Sequence, residues 1–225
     1  MRHFIMLSLS QVKSNPFVQE YLYQTELALK ALGYTEHGKR HAEVVSSRAR
    51  FIAKAIGMSE KEQELAAIAG YLHDFANFLG RTHHHYWGAI LTSQIFGKDF
   101  SPRSLSLIIQ AIANHDKFEM KFSNKISAVL VLADKSDVHY TRVRKGQISR
   151  IQADIHDRVN FATKETNIKV EKSKKTIKLV LKINTSICPI MEYFEIFTTR
   201  MAYCREAASY LGYKFTLIIN NFKLL

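Results

Sequence analysis

Six histidine and aspartate side chains are spaced so that helices could bring them to one site. His73 and Asp74 are adjacent at the end of an apolar stretch, and both are costly to bury unless they are paired or bind a metal. Alone, such a pair is more often a satisfied pair at a helix end. The other four side chains lie in neighbouring predicted helices: His41, His84, His115 and Asp134. Imidazoles and carboxylates suit a divalent ion such as Mn, Fe, Mg, Ni or Zn, and the absence of cysteine from the set excludes a structural thiolate zinc site.

Helices are predicted for the segments that carry these residues, up to about residue 165. Pro16 opens the first helix and Gly33 ends it, a pattern typical of helix termini. A second helix is predicted from about 38 to 56. Ser59 and Glu62 have the spacing of a capping box for a third helix, which ends at His73 and Asp74. Further helices are predicted at about 85–97, 102–114, 123–140 and 153–164.

The hydrophobic period changes to two after Asn167, which predicts strands. The strands are predicted at 168–170, 176–183 and 214–219, and a long amphipathic helix at 188–211 would cover one face of their sheet. The fold class is therefore mainly α: a helical domain at 1–165, then a small α+β subdomain at 166–225 with a three-stranded sheet and one long helix. The apolar stripe of that helix is typical of a core, so we assign the C-terminal segment no chemistry.

Composition limits the functional classes. The 225 residues carry a formal charge of +12, which favours phosphate-bearing partners but equally suits a solvated basic surface. The apolar stretches are too short or too interrupted for a membrane span, the N-terminus does not resemble a signal peptide, and two cysteines suit a reducing interior. We expect a cytoplasmic protein without a membrane partner. Segment 164–182 has seven Lys against two Glu, yet the Lys alternate with apolar residues, which favours the solvated face of a sheet over a nucleic-acid partner.

At about residues 35–145 the chain resembles the HD superfamily of metal-dependent phosphohydrolases. The ordered signature of that family is a His, then His-Asp, then a distant Asp, all on a helical bundle. His41 matches the first element, with Val45, Ala49 and Ala53 following at helical steps, and His37 is the alternative one turn earlier. His73 and Asp74 match the second element, and Asp134 matches the third.

Two further histidines resemble those of the binuclear branches of the family, which include bacterial dinucleoside tetraphosphate hydrolases. These are His84 and His115, although the run of three histidines leaves His83 and His85 as alternatives to His84. The resemblance implies that Asp74 bridges two ions, that His41 and Asp134 complete one of them, and that His84 and His115 hold the other. With a single ion, His84 and His115 would instead contact phosphate.

The resemblance implies hydrolysis of a phosphoester or phosphoanhydride by a metal-activated water. The chain departs from the family at Asn77, where many members have Lys, so charge for the transition state must come from the ions or from Lys135, Arg81, Arg142 or Arg144. We assign Asp74, Asn77 and Lys135 to catalysis and the three arginines to substrate binding.

The expected substrate is a small phosphorylated compound of nucleotide type. Two alternatives stay open: an HD-fold module that binds nucleotide or metal without turnover, and a basic nucleic-acid-binding protein. A homo-oligomer is also compatible with the sequence. The C-terminal segment resembles that of an uncharacterised HD subgroup and implies no activity of its own.

Overall fold

The chain forms a helical bundle followed by a small sheet, as described by a computed structural model over residues 7–117, 119–144, 151 and 153–224. The helices of the bundle are α1 (Leu9–Ser14), α2 (Pro16–Ala31), α3 (Lys39–Ala55), α4 (Glu60–Leu72), α5 (His84–Phe96), α6 (Pro102–Asn114), α7 (Lys125–Lys135) and α8 (Ile155–Ala162). The C-terminal elements are β1 (Thr163–Glu171), β2 (Thr176–Ile183), α9 (Ile190–Tyr210), β3 (Lys214–Ile219) and β4 (Phe222–Lys223). The mainly α fold class is therefore confirmed.

Helix α4 is the central helix of the bundle. It begins with the predicted capping box, in which the Ser59 hydroxyl accepts from the Glu62 amide and the Glu62 carboxylate accepts from the Ser59 amide. Every residue from Leu65 to Leu72 is buried. At Gly70 a side-chain Cβ would lie 3.0 Å from the backbone of Ser46, so glycine allows α3 and α4 to approach closely. This approach brings the first turn of α3 near the end of α4.

Several boundaries differ from the sequence prediction. Helix α7 ends at Lys135 instead of about 140, because the chain turns at Ser136, whose hydroxyl donates to the Ala133 carbonyl. Strand β1 begins at Thr163, earlier than predicted. The prediction missed its first residues because they are polar and show no apolar alternation. Helix α1 was not predicted; it is a six-residue helix with one fully buried side chain, Val12.

The sheet has four strands in the described part of the chain, not the three predicted, in the order β1-β2-β3-β4. The added strand, β4, has two residues, too few for a hydrophobic period to show. Strands β1 and β2 form an antiparallel hairpin, and β3 pairs in parallel with β2 after the long helix α9.

Helix α9 packs against both α7 and β3, and one continuous hydrophobic core joins bundle and sheet. The predicted domain division at 165/166 falls within β1 and stays a prediction. The buried stripe of α9 includes Tyr193, Phe197 and Met201. Phe197 and Arg200 line the same cavity as Asp134 and Lys135, the last two residues of α7. None of the described helices is long and apolar enough to cross a bilayer.

Candidate metal centre

The structure brings the six predicted ligands together at one end of the bundle. They come from five places in the chain: His41 from the first turn of α3, His73 and Asp74 from the end of α4, His84 from the start of α5, His115 from the end of α6, and Asp134 from the last turn of α7. All six side chains are buried. Burying so many ionisable groups together is costly unless they share a partner.

One half of the cluster is formed by His41, His73, Asp134 and one oxygen of Asp74. The Nε2 atoms of His41 and His73 lie 3.2 Å apart, and Oδ1 of Asp134 lies 3.3 Å from Nε2 of His41. Oδ2 of Asp74 lies 3.5 Å from Nε2 of His73 and 3.7 Å from Nε2 of His41. Four donor atoms therefore surround one small volume.

The other half is formed by His84, His115 and the second oxygen of Asp74. The Nε2 atoms of His84 and His115 lie 3.1 Å apart. Oδ1 of Asp74 lies 3.0 Å from Nε2 of His84 and 3.5 Å from Nε2 of His115. The Asp74 carboxylate thus gives one oxygen to each half.

Hydrogen bonds at the Nδ1 atoms show which ring nitrogen of each histidine carries the lone pair. The Nδ1 atoms of His73, His84 and His115 each donate to a backbone carbonyl within 2.8 Å: that of Gly70, Arg81 and Ile112 respectively. Nδ1 of His41 donates to Asp137 at 2.7 Å. Because Nδ1 holds the proton, each neutral ring presents a lone pair at Nε2.

Two facing lone pairs cannot form a hydrogen bond with each other, yet two such Nε2 pairs lie 3.1–3.2 Å apart. Oδ1 of Asp74 is buried and accepts no hydrogen bond from the described residues. Ligands bonded at about 2.0–2.2 Å to a shared cation lie roughly 3.0–3.6 Å from one another. The donor set therefore fits divalent metal, and three overlapping groups of these residues have metal-binding spacing.

Charge and burial favour the ligating forms of Asp134 and His115. Burial would raise the pKa of Asp134, but the Lys135 ammonium holds it well below its ordinary value. Nζ of Lys135 lies 2.8 Å from Oδ2 of Asp134 and donates at 2.8 Å to Asp116. Burial lowers the pKa of His115 to about 4, so its imidazole is neutral at pH 7. A carboxylate and an imidazole are thus both available to a cation.

Asp137 is a functional residue that the sequence analysis missed. It is buried, and its carboxylate accepts from His41 and, at 2.6 Å, from Nη2 of Arg40. It fixes the ring orientation of His41. In the sequence, the one hint of its role was its position three residues after Asp134. Its return toward α3 depends on the turn at Ser136, whose hydroxyl donates to the Ala133 carbonyl.

Asn77 contacts protein groups in the described structure. Its amide nitrogen donates to the Asp74 carbonyl, and its amide oxygen accepts from Nη1 of Arg81 at 2.9 Å. Nη1 of Arg81 in turn lies 3.6 Å from Oδ1 of Asp74. Asn77 therefore positions the Arg81 guanidinium beside Asp74. Its predicted contact with substrate stays a prediction.

The predicted arginines are not all at the centre. Arg81 and Arg142 line the cavity beside the ligands, and the Arg142 guanidinium donates to the carbonyls of Glu36 and Asp137. Arg144 is elsewhere: it pairs with Glu26 and donates to the Tyr34 carbonyl, in a separate depression. The structure does not bring Arg144 to the predicted site.

The alternatives at the two histidine positions are separated by geometry. His37 lines the cavity, but its Nδ1 contacts the Thr35 carbonyl and its ring only packs against that of His41. His83 has a left-handed backbone (φ 62°) and is exposed, and His85 is buried beside His84. Only His41 and His84 present a nitrogen to the described cluster from these positions.

A cleft adjoins the ligand cavity. It has a volume of about 440 Å³ and shares five lining residues with the cavity: His37, Arg81, Arg142, Phe197 and Arg200. Phe197 and Arg200 belong to α9, to which the sequence analysis assigned no chemistry. In the sequence, Arg200 is one of two arginines of an amphipathic helix, and nothing there distinguishes it from Arg205.

Comparison with known proteins gives two findings. A family model described as HD domain matches residues 39–178, more than half of the chain. A protein of Methanocaldococcus jannaschii described as uncharacterized is 25% identical over 140 residues, covering 52% of this chain and 54% of the relative. The chain thus matches about half the length of that curated relative.

Proposed function

Since the chain belongs to the HD domain family, we propose that it is a metal-dependent phosphohydrolase acting on a small, nucleotide-like substrate. The bond cleaved is a phosphoester or a phosphoanhydride. The observation that carries the proposal is that four imidazole Nε2 atoms, both oxygens of Asp74 and one oxygen of Asp134 meet in one cluster. This donor set suits a cation, and a cation beside basic side chains suits phosphate.

Two ions suit the arrangement better than one. His41, His73 and Asp134 face one oxygen of Asp74, whereas His84 and His115 face the other. Divalent ions held there would supply Lewis acidity toward phosphate oxygens and would lower the pKa of a coordinated water toward about 7. Mn, Fe, Mg, Ni and Zn all accept imidazole and carboxylate ligands to some degree.

The remaining residues bind and orient the substrate. Four cations line the cavity against three carboxylates: Lys135, Arg81, Arg142 and Arg200 against Asp74, Asp134 and Asp137. With divalent ions added, the net charge is positive and attracts an anion. Arg81 reaches the cavity from beside Asp74, and Asn77 holds it in place. The buried Lys135 ammonium stays charged because Asp134 and Asp116 raise its pKa against the opposing effect of burial.

The volume of the cleft indicates the size of the substrate that it can hold. A volume of about 440 Å³ lies in the range typical of small-molecule sites, which favours a nucleotide-sized ligand over a polymer.

The lysines of segment 164–182, which raised the possibility of a nucleic-acid partner, are partly neutralised by ion pairs. Lys178 pairs with Glu171, and Lys182 pairs with Glu165. The two buried free cysteines suit a reducing compartment such as the cytoplasm.

The experiment is a metal analysis of the protein purified without chelator, followed by a phosphate-release screen of nucleotides and phosphoesters with each candidate ion. We expect one or two divalent ions per chain and release of phosphate or a nucleotide from some compounds. Asp74→Asn should lose most of the metal and of the phosphate release, whereas Asp99→Asn, at an exposed position after α5, should retain both. Tight nucleotide binding without any product would support the regulatory module instead. Metal-free protein that cannot be loaded would refute the proposal.

A further inference from the structure

Arg200 lies where the ligand cavity and the adjoining cleft meet. It is the C-terminal segment's one cation among the described lining residues of both spaces. Its guanidinium carbon lies 4.8 Å from the ring centre of Phe197, one turn earlier on α9. Phe197 is buried and packs against Tyr193. The aromatic face therefore holds the Arg200 guanidinium on the cavity wall.

Arg200 differs from the other two arginines of the same wall. Arg142 is buried and donates to two backbone carbonyls, and Arg81 donates to Asn77. Arg200 forms no hydrogen bond or ion pair with the described residues. Its one cation–π contact with those residues is with the ring of Phe197. It is thus a half-buried cation with its donors unused.

The surroundings make an uncompensated guanidinium costly. Burial lowers the pKa of Arg200, and the positive charges of Arg142 and Arg81 lower it further, while Asp134 and Asp116 act in the opposite direction. A planar guanidinium with five donors matches the oxygens of phosphate, often in a bidentate manner. An anion between the three arginines would relieve their repulsion and satisfy the donors of Arg200.

We propose that Arg200, with Arg81 and Arg142, binds a second anionic group of the substrate, beside the phosphate that is cleaved. This rests on the proposed function, because it takes the metal centre as the place of the scissile phosphate. The three arginines, here called the distal anion site, line both the ligand cavity and the cleft. The second anion therefore lies next to the scissile phosphate, at the entrance to the cleft.

The substrate class that this geometry selects is one with two adjacent anionic groups, such as a phosphoanhydride. A simple monoester would leave Arg200 without an anion. The helix that carries Arg200 follows the region that supplies the metal ligands, so the C-terminal segment contributes to substrate choice and not to metal binding.

The test compares two probes by calorimetric titration of the metal-loaded protein. The probes are inorganic phosphate and pyrophosphate, each added with Mg²⁺ so that neither removes ions from the protein. We expect wild type to bind pyrophosphate at least about tenfold more tightly than phosphate, the size expected when a charge-assisted pair is added. Arg200→Gln should remove most of this preference and change phosphate affinity less than about twofold.

Control variants make the result specific. Arg205→Gln changes an exposed arginine on the same helix and should keep the wild-type preference. Arg200→Met keeps an apolar stem over Phe197 and replaces Arg200→Gln if the latter loses its fold or its metal content. An unchanged preference in the folded variant, equal weakening of both probes, or no preference in wild type would each overturn the distal anion site. A preference that depends on Arg200 in a protein without turnover would support this site while refuting the hydrolase.

Discussion

Oδ1 of Asp74 lies 3.0 Å from Nε2 of His84, while the other oxygen of the same carboxylate faces His73 at 3.5 Å. One side chain thus serves both halves of the cluster. Asp74→Asn replaces one of these oxygens by a nitrogen that cannot ligate, and we expect loss of most bound metal. Loss of a residue that only orients a metal ligand costs about 10–100-fold in affinity or activity. Because Asp74 is itself a candidate ligand, we expect hydrolysis to fall by more than about 100-fold. Elemental analysis and phosphate release measure both effects, and full metal content in the variant would contradict the bridging role.

Histidine variants of the two halves of the cluster should differ in the amount of metal that they bind. His84→Ala or His115→Ala removes a donor whose Asp74 contact is with Oδ1, so we expect about half of the bound metal to be lost. His41→Ala should weaken the other half. Elemental analysis of each variant after loading under identical conditions gives the ratio. Undiminished stoichiometry in His84→Ala and His115→Ala, with only substrate affinity reduced, would refute two ions and leave a single-ion enzyme.

Asp137 should affect metal affinity without touching the ion. Its carboxylate orients His41 through Nδ1, and an asparagine there keeps an acceptor but loses the charge. We expect Asp137→Asn to weaken metal binding by about 10–100-fold, as measured by chelator competition. Arg40→Gln is the control, because it removes a salt bridge to Asp137 and leaves the His41 contact in place. Equal losses in both variants would assign the effect to the salt bridge.

Gly70 should be less tolerant of a side chain than Gly88. A Cβ at Gly70 would lie 3.0 Å from backbone atoms of Ser46, whereas one at Gly88 would first meet a methyl group of Ile112 at 3.1 Å. Backbone cannot yield as a side chain can, so we expect Gly70→Ala to destabilise the fold by about 1–3 kcal/mol. Thermal unfolding measures the difference, and a larger loss in Gly88→Ala would contradict this account of α3–α4 packing.

The two cysteines should be inert in the folded protein. Burial raises the pKa of both Cys188 and Cys204 to about 12, so neither forms an appreciable thiolate at pH 8. We expect alkylation with iodoacetamide to be slow in native protein and complete after denaturation, as followed by mass spectrometry. The pKa shift predicts that reactivity rises only as pH approaches that value. Rapid labelling of either thiol at pH 8 would disagree with its burial.

The sequence predicted the helices and the ligand types because both depend on local patterns. The capping box at Ser59 and the adjacent His73 and Asp74 are visible without any tertiary information. Asp137 and Arg200 were missed because their roles depend on a turn and on the packing of α9, which no periodicity encodes. The early start of β1 was missed for a similar reason, since its polar residues are ordered by pairing with β2.

The scattered origin of the ligands has a further consequence for folding. His41 and its partner Asp137 are 96 residues apart, and the two facing imidazole pairs join residues separated by 32 and 31 positions. An ion held by these groups closes long loops of the chain and binds the unfolded ensemble weakly, so it acts as a non-covalent cross-link. At a concentration about 1,000 times its Kd, one such ion adds about 4 kcal/mol to stability. The resistance of this chain to unfolding would then vary with the supply of ions around it.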